Sequence, residues 1–597
     1  MASGDLVPRV YSNFRGVDFR GEEINLMRSP DSLNMWKDYK QTESIRTRPA
    51  LDEGAYSYGS TIWGIYFYTD AVNGKERQIV HCGNKLYEIV DGISLPMKNS
   101  KGETMIVNSG KSGAFIYNSK WYFKDGLKYY VYDGQTIEEV EAYVPTTSIG
   151  RKPSGGDKIH EDVNLLTGRR INTFLANGKD AEFHLDAQNI DTDFVPIVRI
   201  DGSIAQEPQW YYKVDYELGI ITITTDDGTP FAPSNLGTDG QDNISIEFSK
   251  TIPGYREKIE RCTLLEVFDN RVFFSGNPDY PNYVWHSSLD NPAYCSDLDY
   301  YIEGLDTAKV TGMVAGNNAL WVFKEPSQSN TSVYYHMPTI DAEYGKVYPS
   351  VHSNISLGCV GGAVNFNDDI VFFSQRGMEG INGDVTTEQA VAHRSSLVDR
   401  KLLTEAYYKS MILVEWEGYL LCFMGNKVYL ADSRAKFTNV DHFEYEWFYW
   451  ELDVNVTCAA AHDGVLYVGA SKEGNNIRHI YTFTSIFPVE SYWTTPLDKF
   501  KHPQYQKTTN KRGCVVEAKT VFSTENTAVN GTLYVYAKTD KTDDFELIGK
   551  YPKVNDSFVC RIKRKKFKDI QLKFYSPYRF SLEQATLECF IGGYIKR

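Results

Sequence analysis

Short polar turns followed by runs of β-branched and aromatic residues recur along this chain. The pattern is clearest at Phe366-Asn367-Asp368-Asp369-Ile370-Val371-Phe372-Phe373-Ser374. A turn of the Asn/Asp type feeding such a run predicts a tight hairpin that enters a buried strand. The same phrase stands at Asn270-Arg271-Val272-Phe273-Phe274-Ser275, Asn317-Asn318-Ala319-Leu320-Trp321-Val322-Phe323, Gly418-Tyr419-Leu420-Leu421-Cys422-Phe423 and Asp463-Gly464-Val465-Leu466-Tyr467-Val468. From turn to turn the spacing is about 45 to 51 residues, close to the length of a four-stranded propeller blade.

Two further units precede these. Ile62-Trp63-Gly64-Ile65-Tyr66-Phe67-Tyr68, Arg77-Gln78-Ile79-Val80-His81 and Lys85-Leu86-Tyr87-Glu88-Ile89-Val90 are strands separated by the hairpin signals Asn73-Gly74 and Gly83-Asn84. Ser119-Lys120-Trp121-Tyr122-Phe123 begins the next unit, and both units end alike, in Val90-Asp91-Gly92 and Tyr132-Asp133-Gly134. From Asn118 to Asn270 the rhythm then misses a beat: about 152 residues is one blade plus a domain-sized insertion of about 100. Within the insertion, Ala181–Leu185, Pro196–Ile200, Tyr211–Val214, Ile220–Ile223 and Ile244–Phe248 read as short strands of a small β-sandwich. A weakly helical patch from Ser395 to Lys409 is expected to decorate a loop. Past Pro503, strands at Gly513–Ala518, Leu533–Ala537, Ser557–Ile562 and Ile570–Phe574 predict a second sandwich.

The expected fold is therefore all-β: a β-propeller of about seven blades, six or eight if the first or last is split, with an inserted β-sandwich domain and a C-terminal β-sandwich domain. The expected boundaries are an extended N-terminal arm at 1–55, first blades at 56–149, the insertion at 150–250, remaining blades at 251–495 and the C-terminal sandwich at 496–597. The arm has isolated apolar residues between Gly/Pro punctuation. Two readings fit it: an arm that takes its order from a neighbouring subunit, and an extension wrapped on its own propeller.

Composition narrows the function. Tyr and Phe number 42 and 31, in keeping with half-buried pleated surfaces. The 9 cysteines are dispersed, without the CxxC spacing of a zinc or redox site, and read as small core residues of a reducing compartment. No apolar run reaches the roughly 20 residues of a membrane helix, and no signal-peptide core is seen, so synthesis in a cytoplasm is expected. The net charge of −15 argues against gripping phosphate. It is uneven, however: 19 basic and 10 acidic residues follow Phe500, so that segment carries +9 and the rest −24. The sharpest basic feature is Arg561-Ile562-Lys563-Arg564-Lys565-Lys566-Phe567-Lys568. Arg561, Lys563, Arg564, Lys565, Lys566 and Lys568 form a candidate partner-binding patch for nucleic acid or an acidic protein, and a solvated strand end is the bland alternative.

Catalytic signatures are not found: no GxSxG, HExxH, GxxxxGK[ST] or GxGxxG after a strand, and no Ser-x-Asp-x-Gly-x-x-Trp phrase of sialidase blades. His184, between Phe183 and Leu185, reads as a satisfied sheet residue. Asp226-Asp227 and Asp543-Asp544 sit beside turns, where Asx chemistry explains them, and Asp239-Gly240-Gln241-Asp242-Asn243 lacks the spaced ligands of a calcium loop. The expectation is a non-enzyme with no cofactor, no metal and no small-molecule substrate.

Two stretches resemble a known family. Asn13-Phe14-Arg15-Gly16-Val17, Arg28-Ser29-Pro30-Asp31, Asn34-Met35-Trp36 and Arg46-Thr47-Arg48-Pro49 are similar to the opening of the tail nozzle, or tail tubular, proteins of short-tailed bacteriophages. Phe273-Phe274-Ser275-Gly276-Asn277-Pro278, His286-Ser287-Ser288, Asn291-Pro292, Gly358-Cys359 and Gln375-Arg376-Gly377-Met378-Glu379-Gly380-Ile381 resemble blade loops of those proteins and of the related packaged-DNA stabilisation proteins. The likeness covers the arm and most of the propeller, while the two sandwiches match only in kind. It implies a virion tail protein, assembled in the host bacterial cytoplasm as a ring homo-oligomer, commonly a hexamer, below the portal or head-tail adaptor. Such a ring contacts tail fibre or tail-tip proteins, retains packaged DNA, and passes double-stranded DNA without sequence-specific binding. On that reading Arg15, Arg28, Pro30, Asp31, Asn34, Trp36, Arg46 and Arg48 are candidates for docking on a neighbouring subunit or adaptor. A receptor- or glycan-binding propeller of a virion, with Tyr and Trp as sugar platforms, is the alternative.

Overall fold

A computed structural model describes residues 6–21, 25–40, 44–156, 158–204, 211–234, 241–327, 331–342, 345–383, 385, 390–439, 442–484, 487–523, 528–562 and 566–594. Among them are seven four-stranded antiparallel sheets, six of them with their strands in chain order and the seventh completed by an N-terminal strand. Blade 1 runs from Ile62–Thr69 to Ile93–Pro96 and blade 2 from Gly113–Tyr117 to Ile137–Glu139. Blade 3 runs from Leu264–Phe268 to Tyr300–Ile302, blade 4 from Val310–Gly316 to Ser350–His352, blade 5 from Ala363–Phe366 to Val391–His393 and blade 6 from Ile412–Trp416 to His442–Glu451. Blade 7 comprises Val454–His462, Val465–Lys472, Arg478–Thr484 and, as its outer strand, Ala50–Tyr58. The first strand of blade 7 packs on the first strand of blade 1, which closes the ring. The chain is an all-β protein of β-propeller class.

The recurring polar pairs sit at the first hairpin of their blades. Both central residues have positive φ at Asn118 and Ser119 (45° and 59°), Asp269 and Asn270 (50° and 57°), Asn317 and Asn318 (54° and 60°), and Asn367 and Asp368 (51° and 64°). Two consecutive left-handed residues make a type I′ turn, whose twist matches that of the strands it joins and which favours Asn, Asp and Gly. The strand after each turn holds a run of three to five apolar residues because both of its faces are covered. In Asp369–Ser374, Ile370 and Phe372 join the core shared with blade 4, whereas Val371 and Phe373 join the core shared with blade 6. Tyr419–Met424 divides likewise, with Leu420, Cys422 and Met424 facing one core and Tyr419, Leu421 and Phe423 the other. Alternation in the pleat thus sends odd and even residues to opposite neighbouring blades.

The segment between blades 2 and 3 forms a six-stranded sheet, which includes Thr146–Arg151, Arg169–Phe174 and Ile244–Ser249, and a three-stranded sheet of Glu182–His184, Ile220–Thr224 and Tyr211–Asp215. Its core, with Phe174, Phe183, Ile221 and Ile246, is separate from the propeller cores. The C-terminal region packs two sheets. One contains Tyr505–Lys519, Ser581–Tyr594 and Ser557–Cys560, and the other contains Ser491–Thr494, Ile570–Ser576, Thr532–Thr539 and Glu546–Pro552. Between Leu397 and Met411, helical structure is limited to Asp399–Leu402 and a 3-10 turn at Tyr408–Ser410.

Two expected boundaries, 55/56 and 149/150, fall inside strands, the second within Thr146–Arg151, and a third cuts a strand off from its sheet. Ala50–Tyr58 straddles 55/56, and its Asp52, Glu53 and Gly54 hide the strand signal because it is a half-exposed outer strand. Ser491–Thr494 lies before 495/496 yet belongs to the C-terminal sheets. The arm does not stand off to await a neighbour. Leu6–Tyr11 pairs with Ser581–Tyr594, Ser32–Leu33 with Ser491–Thr494, and Ile45–Thr47 with both Met35–Lys37 and Ser581–Tyr594. Tyr11, Phe14, Met35, Trp36 and Ile45 enter the same apolar core as blades 6 and 7 and the C-terminal sheets. Burying these side chains removes their apolar surface from water, and the arm thereby staples its own chain. All 9 cysteines are buried and free, and among the described residues no helix is long and apolar enough to cross a membrane.

Candidate functional site

The arm residues meet blade 6 and the C-terminal sheets through a dense set of polar contacts. Arg28 donates from Nε and Nη2 to the two carboxylate oxygens of buried Glu446, at 2.8 and 2.6 Å, and its guanidinium lies 4.3 Å from the centroid of Phe437. Arg15 Nη1 stands 3.6 Å from the same carboxylate. Asn34 adopts φ 57°, accepts from Arg48 Nε and the Glu451 amide, each at 2.9 Å, and donates to the Glu490 carbonyl at 2.9 Å. Arg48 also donates to the carbonyls of Pro49 and Glu451. Burial lowers its pKa to about 10, which still leaves it charged at neutral pH. The two ends of the motif, Asn34 and Arg48, are thus one hydrogen-bonded unit.

The remaining arm residues complete this staple. Trp36 stacks on Trp416 at 5.4 Å and meets Trp450 edge-on at 5.7 Å. Asp31 accepts from the Tyr492 hydroxyl at 2.9 Å, and half-buried Pro30 lies between it and Ser29, whose hydroxyl donates to the Thr494 carbonyl at 2.7 Å. Arg46 lies 3.6 Å from Asp38, and burial lowers its pKa. Gly16 has φ 149°, and a Cβ there would stand 2.2 Å from the Trp447 carbonyl oxygen, so the Asn-Phe-Arg-Gly phrase needs its glycine. Contacts within the chain engage seven of the eight proposed docking residues, and the eighth, Pro30, is half-buried. Their partners within the chain are blade 6, the C-terminal sheets and, for Arg46, Asp38 of the arm itself.

The basic segment is only partly described: Lys563, Arg564 and Lys565 lie outside the described residues. Arg561, Lys566 and Lys568 are exposed, while Ile562 and Phe567 between them are buried in the C-terminal core. In the two-residue strand Lys566–Phe567 the lysine faces outward and the phenylalanine inward.

Two polar clusters escaped the sequence reading. Asp498, fully buried, accepts from Arg9 Nε and Nη2, the Tyr11 hydroxyl and the Phe500 amide. In blade 5, His393 Nδ1 faces Glu379 at 3.3 Å and Nε2 faces Asp399 at 2.6 Å. Burial opposes the charge on His393, but the two carboxylates outweigh it and raise the pKa to about 10. Held as an imidazolium, His393 is a poor general base. Ser395 donates to Asp399 rather than to the imidazole, and the Met378 amide donates to Ser395. The cluster ties the hairpin Gln375-Arg376-Gly377-Met378-Glu379 to the loop before blade 6. Gly377, at φ 129°, is required because a Cβ would stand 2.4 Å from Asp399 Oδ1. The only sequence signal for this cluster was the Gly-flanked phrase itself, since His393 and Asp399 follow it at no diagnostic spacing.

Other residues weighed in the sequence make structural contacts where they are described. His184 closes a strand, and its carbonyl accepts from Arg151. Asp239 and Gly240 lie outside the described residues, and Asp242 accepts from the Gly150 amide. Asn277, from the second family-like stretch, donates to the carbonyls of Glu257 and Lys258 at the end of helix Tyr255–Glu260.

No protein-family model and no curated protein sequence matches the chain. Solved structures are similar in fold alone. Raptor of Chaetomium thermophilum matches with a TM-score of 0.31 and 8% identity, over 74% of this chain and 29% of Raptor. The β-propeller domain of Cps50 (Swd1) from Myceliophteria thermophila matches with a TM-score of 0.27 and 8% identity, over 72% of this chain and 99% of that domain. BBS1N, solved in complex with ARL6DN, gives 0.25 and 11%, over 74% and 99%.

Proposed function

We propose that this chain is a structural protein of a bacteriophage tail. On this reading it is a non-enzymatic, seven-bladed propeller with two added β-sandwiches, which assembles into the ring-shaped nozzle below the portal or adaptor, retains packaged DNA and conducts it during ejection. The observation that carries the reading is the arm. The phrases that resemble the tail nozzle family, around Gly16, Arg28, Asn34 and Arg48, are the ones that lock the C-terminal sheets to blade 6. A particle that withstands packaged DNA needs rigidly coupled domains, and a largely acidic body repels phosphate so that DNA slides instead of sticking. Cryo-electron microscopy and crosslinking of the assembled particle test the proposal. A ring on the tail axis is expected; a lone copy on the virion exterior, or no copy in any virion, overturns it.

A further inference from the structure

The seam at which the propeller closes carries a cluster that the tail reading does not use. Glu76 opens the second strand of blade 1, opposite Thr69, and His462 and Asp463 end the first strand of blade 7 and begin its turn. Although 386 positions apart in the chain, His462 Nε2 lies 3.1 Å from Glu76 Oε1 and 3.7 Å from Asp463 Oδ2. One ligating atom from each residue lies within 4.8 Å of the other two. We propose that these three residues form a binding site for a divalent transition cation of the Zn²⁺ type, which clasps blade 1 to blade 7.

Four features point this way. The donor set is one imidazole nitrogen and two carboxylates, the mixture that suits Zn²⁺ and its first-row neighbours better than Mg²⁺ or Ca²⁺, which prefer all-oxygen sites. A tetrahedral Zn²⁺ places its ligands about 3.3 Å apart, so the two histidine distances already fit and the exposed carboxylates can swing to complete the third. The imidazole is held in place, because its ring stacks on Phe67 of blade 1 at 4.1 Å with planes 8° apart. Finally, Nε2 is shut off from water and, although Glu76 Oε1 is 3.1 Å away, makes no aligned hydrogen bond among the described residues. A nitrogen placed between two carboxylates without a hydrogen bond gains from a cation there. Three protein ligands leave a fourth position for water, on the side where Asp463 is exposed. Because the ligands come from the first and last blades, bound metal opposes opening of the ring.

Isothermal titration of the tag-free full-length chain with ZnCl2, and in parallel with MgCl2, tests this. We expect one equivalent of Zn²⁺ per chain, at least about tenfold tighter than Mg²⁺, with a higher thermal midpoint in its presence. His462→Phe keeps a ring against Phe67 but removes the ligand nitrogen, and Zn²⁺ affinity should fall by about tenfold or more. Glu76→Gln, at an exposed position, provides an independent reading and should weaken binding as well. No binding at millimolar ZnCl2, or unchanged stoichiometry and affinity in both variants, overturns the proposal.

Discussion

Arg28 and Glu446 illustrate how much of the arm's attachment rests on single contacts. Glu446 is fully buried, so removing Arg28 leaves its carboxylate with only Arg15, 3.6 Å away and partly exposed. Breaking a buried pair from one side costs about 3–5 kcal/mol, because the desolvated charge loses its partner. Arg28→Ala should therefore destabilise the protein by about 3 kcal/mol in urea unfolding, whereas Arg28→Ala with Glu446→Gln should recover part of that loss. Equal losses in the single and double variants would show that the pair is not coupled. His393 makes a pH-dependent contribution. Folded, it keeps its proton until about pH 10; unfolded, it releases it near 6.5. Between these values the folded state binds more protons, so its contribution is complete below about pH 6.5 and is lost as pH rises toward 10. Glu379 and Asp399 supply the attraction, and Arg376, whose Nη2 is 3.2 Å from Glu379, competes for it. Buried Lys124 works in the opposite direction: burial lowers its pKa from 10.5 to about 8, so its penalty is relieved as pH rises through that interval. The two are separated by comparing His393→Gln with the parent. The variant should lose the pH-dependent fall in thermal midpoint between about pH 6.5 and 8, and an identical slope in both proteins would refute the assignment.

At the scale of elements, the arm decides whether the C-terminal sheets stay attached. Its strands hydrogen-bond to Ser491–Thr494 and Ser581–Tyr594, and Trp36 fills a space between Trp416 and Trp450. Removing a buried Trp typically costs 3–5 kcal/mol. Deleting residues 1–48 should thus yield a poorly folded or aggregating chain, as judged by circular dichroism and size-exclusion chromatography. A soluble, fully folded product would instead restore the view of the arm as a docking device for another subunit. The blade strands were legible in the sequence because their causes are local: a type I′ turn favours Asn, Asp or Gly, and a strand covered on both faces carries several apolar residues in succession. The closing strand Ala50–Tyr58 was not, since its outer face is solvated and its alternation is interrupted by Asp52, Glu53 and Gly54. The staple was legible as motif but not as contact. Arg28 and Glu446 are 418 residues apart, and nothing near either residue names the other. The Asp498 cluster and the Glu76, His462 and Asp463 cluster were hidden for the same reason.

The whole molecule divides by its cores rather than by its sheets. The largest core runs without a break from the arm through blades 6 and 7 into the C-terminal sheets, joining Trp36, Trp450, Val468, Trp493, Val516 and Leu587. A region that shares its apolar core with a neighbour cannot unfold without exposing that neighbour's surface, so the C-terminal sheets and the adjoining blades should melt together. The inserted sheets differ. Phe174, Phe183, Ile221, Ile246 and Phe248 pack among themselves, Thr146–Arg151 reaches in to pair with Arg169–Phe174, and the chain crosses back to the propeller where the Lys250 amide donates to the Gly168 carbonyl at 2.8 Å. Just before that crossing, Leu165 and Leu166 are buried in the core shared by blades 2 and 3, and Asn164 bonds to Ala293 and Cys295. The insertion is thus a separate unit whose root belongs to the propeller. Scanning calorimetry should resolve two transitions: a smaller one for the insertion and a larger one for the propeller, arm and C-terminal sheets together. Replacing residues 169–249 with a short Gly/Ser link from Gly168 to Lys250 should abolish the smaller transition and shift the larger by only a few degrees, because the rooted segment 161–168 is retained and Thr146–Arg151, which loses its partner strand, places no side chain in the core of blades 2 and 3. A further transition that tracks the C-terminal sheets alone would mean that the continuous core does not couple them to the ring. In that case the arm would serve as a tether between independent domains, and Arg28→Ala would change the C-terminal transition while leaving the propeller's in place.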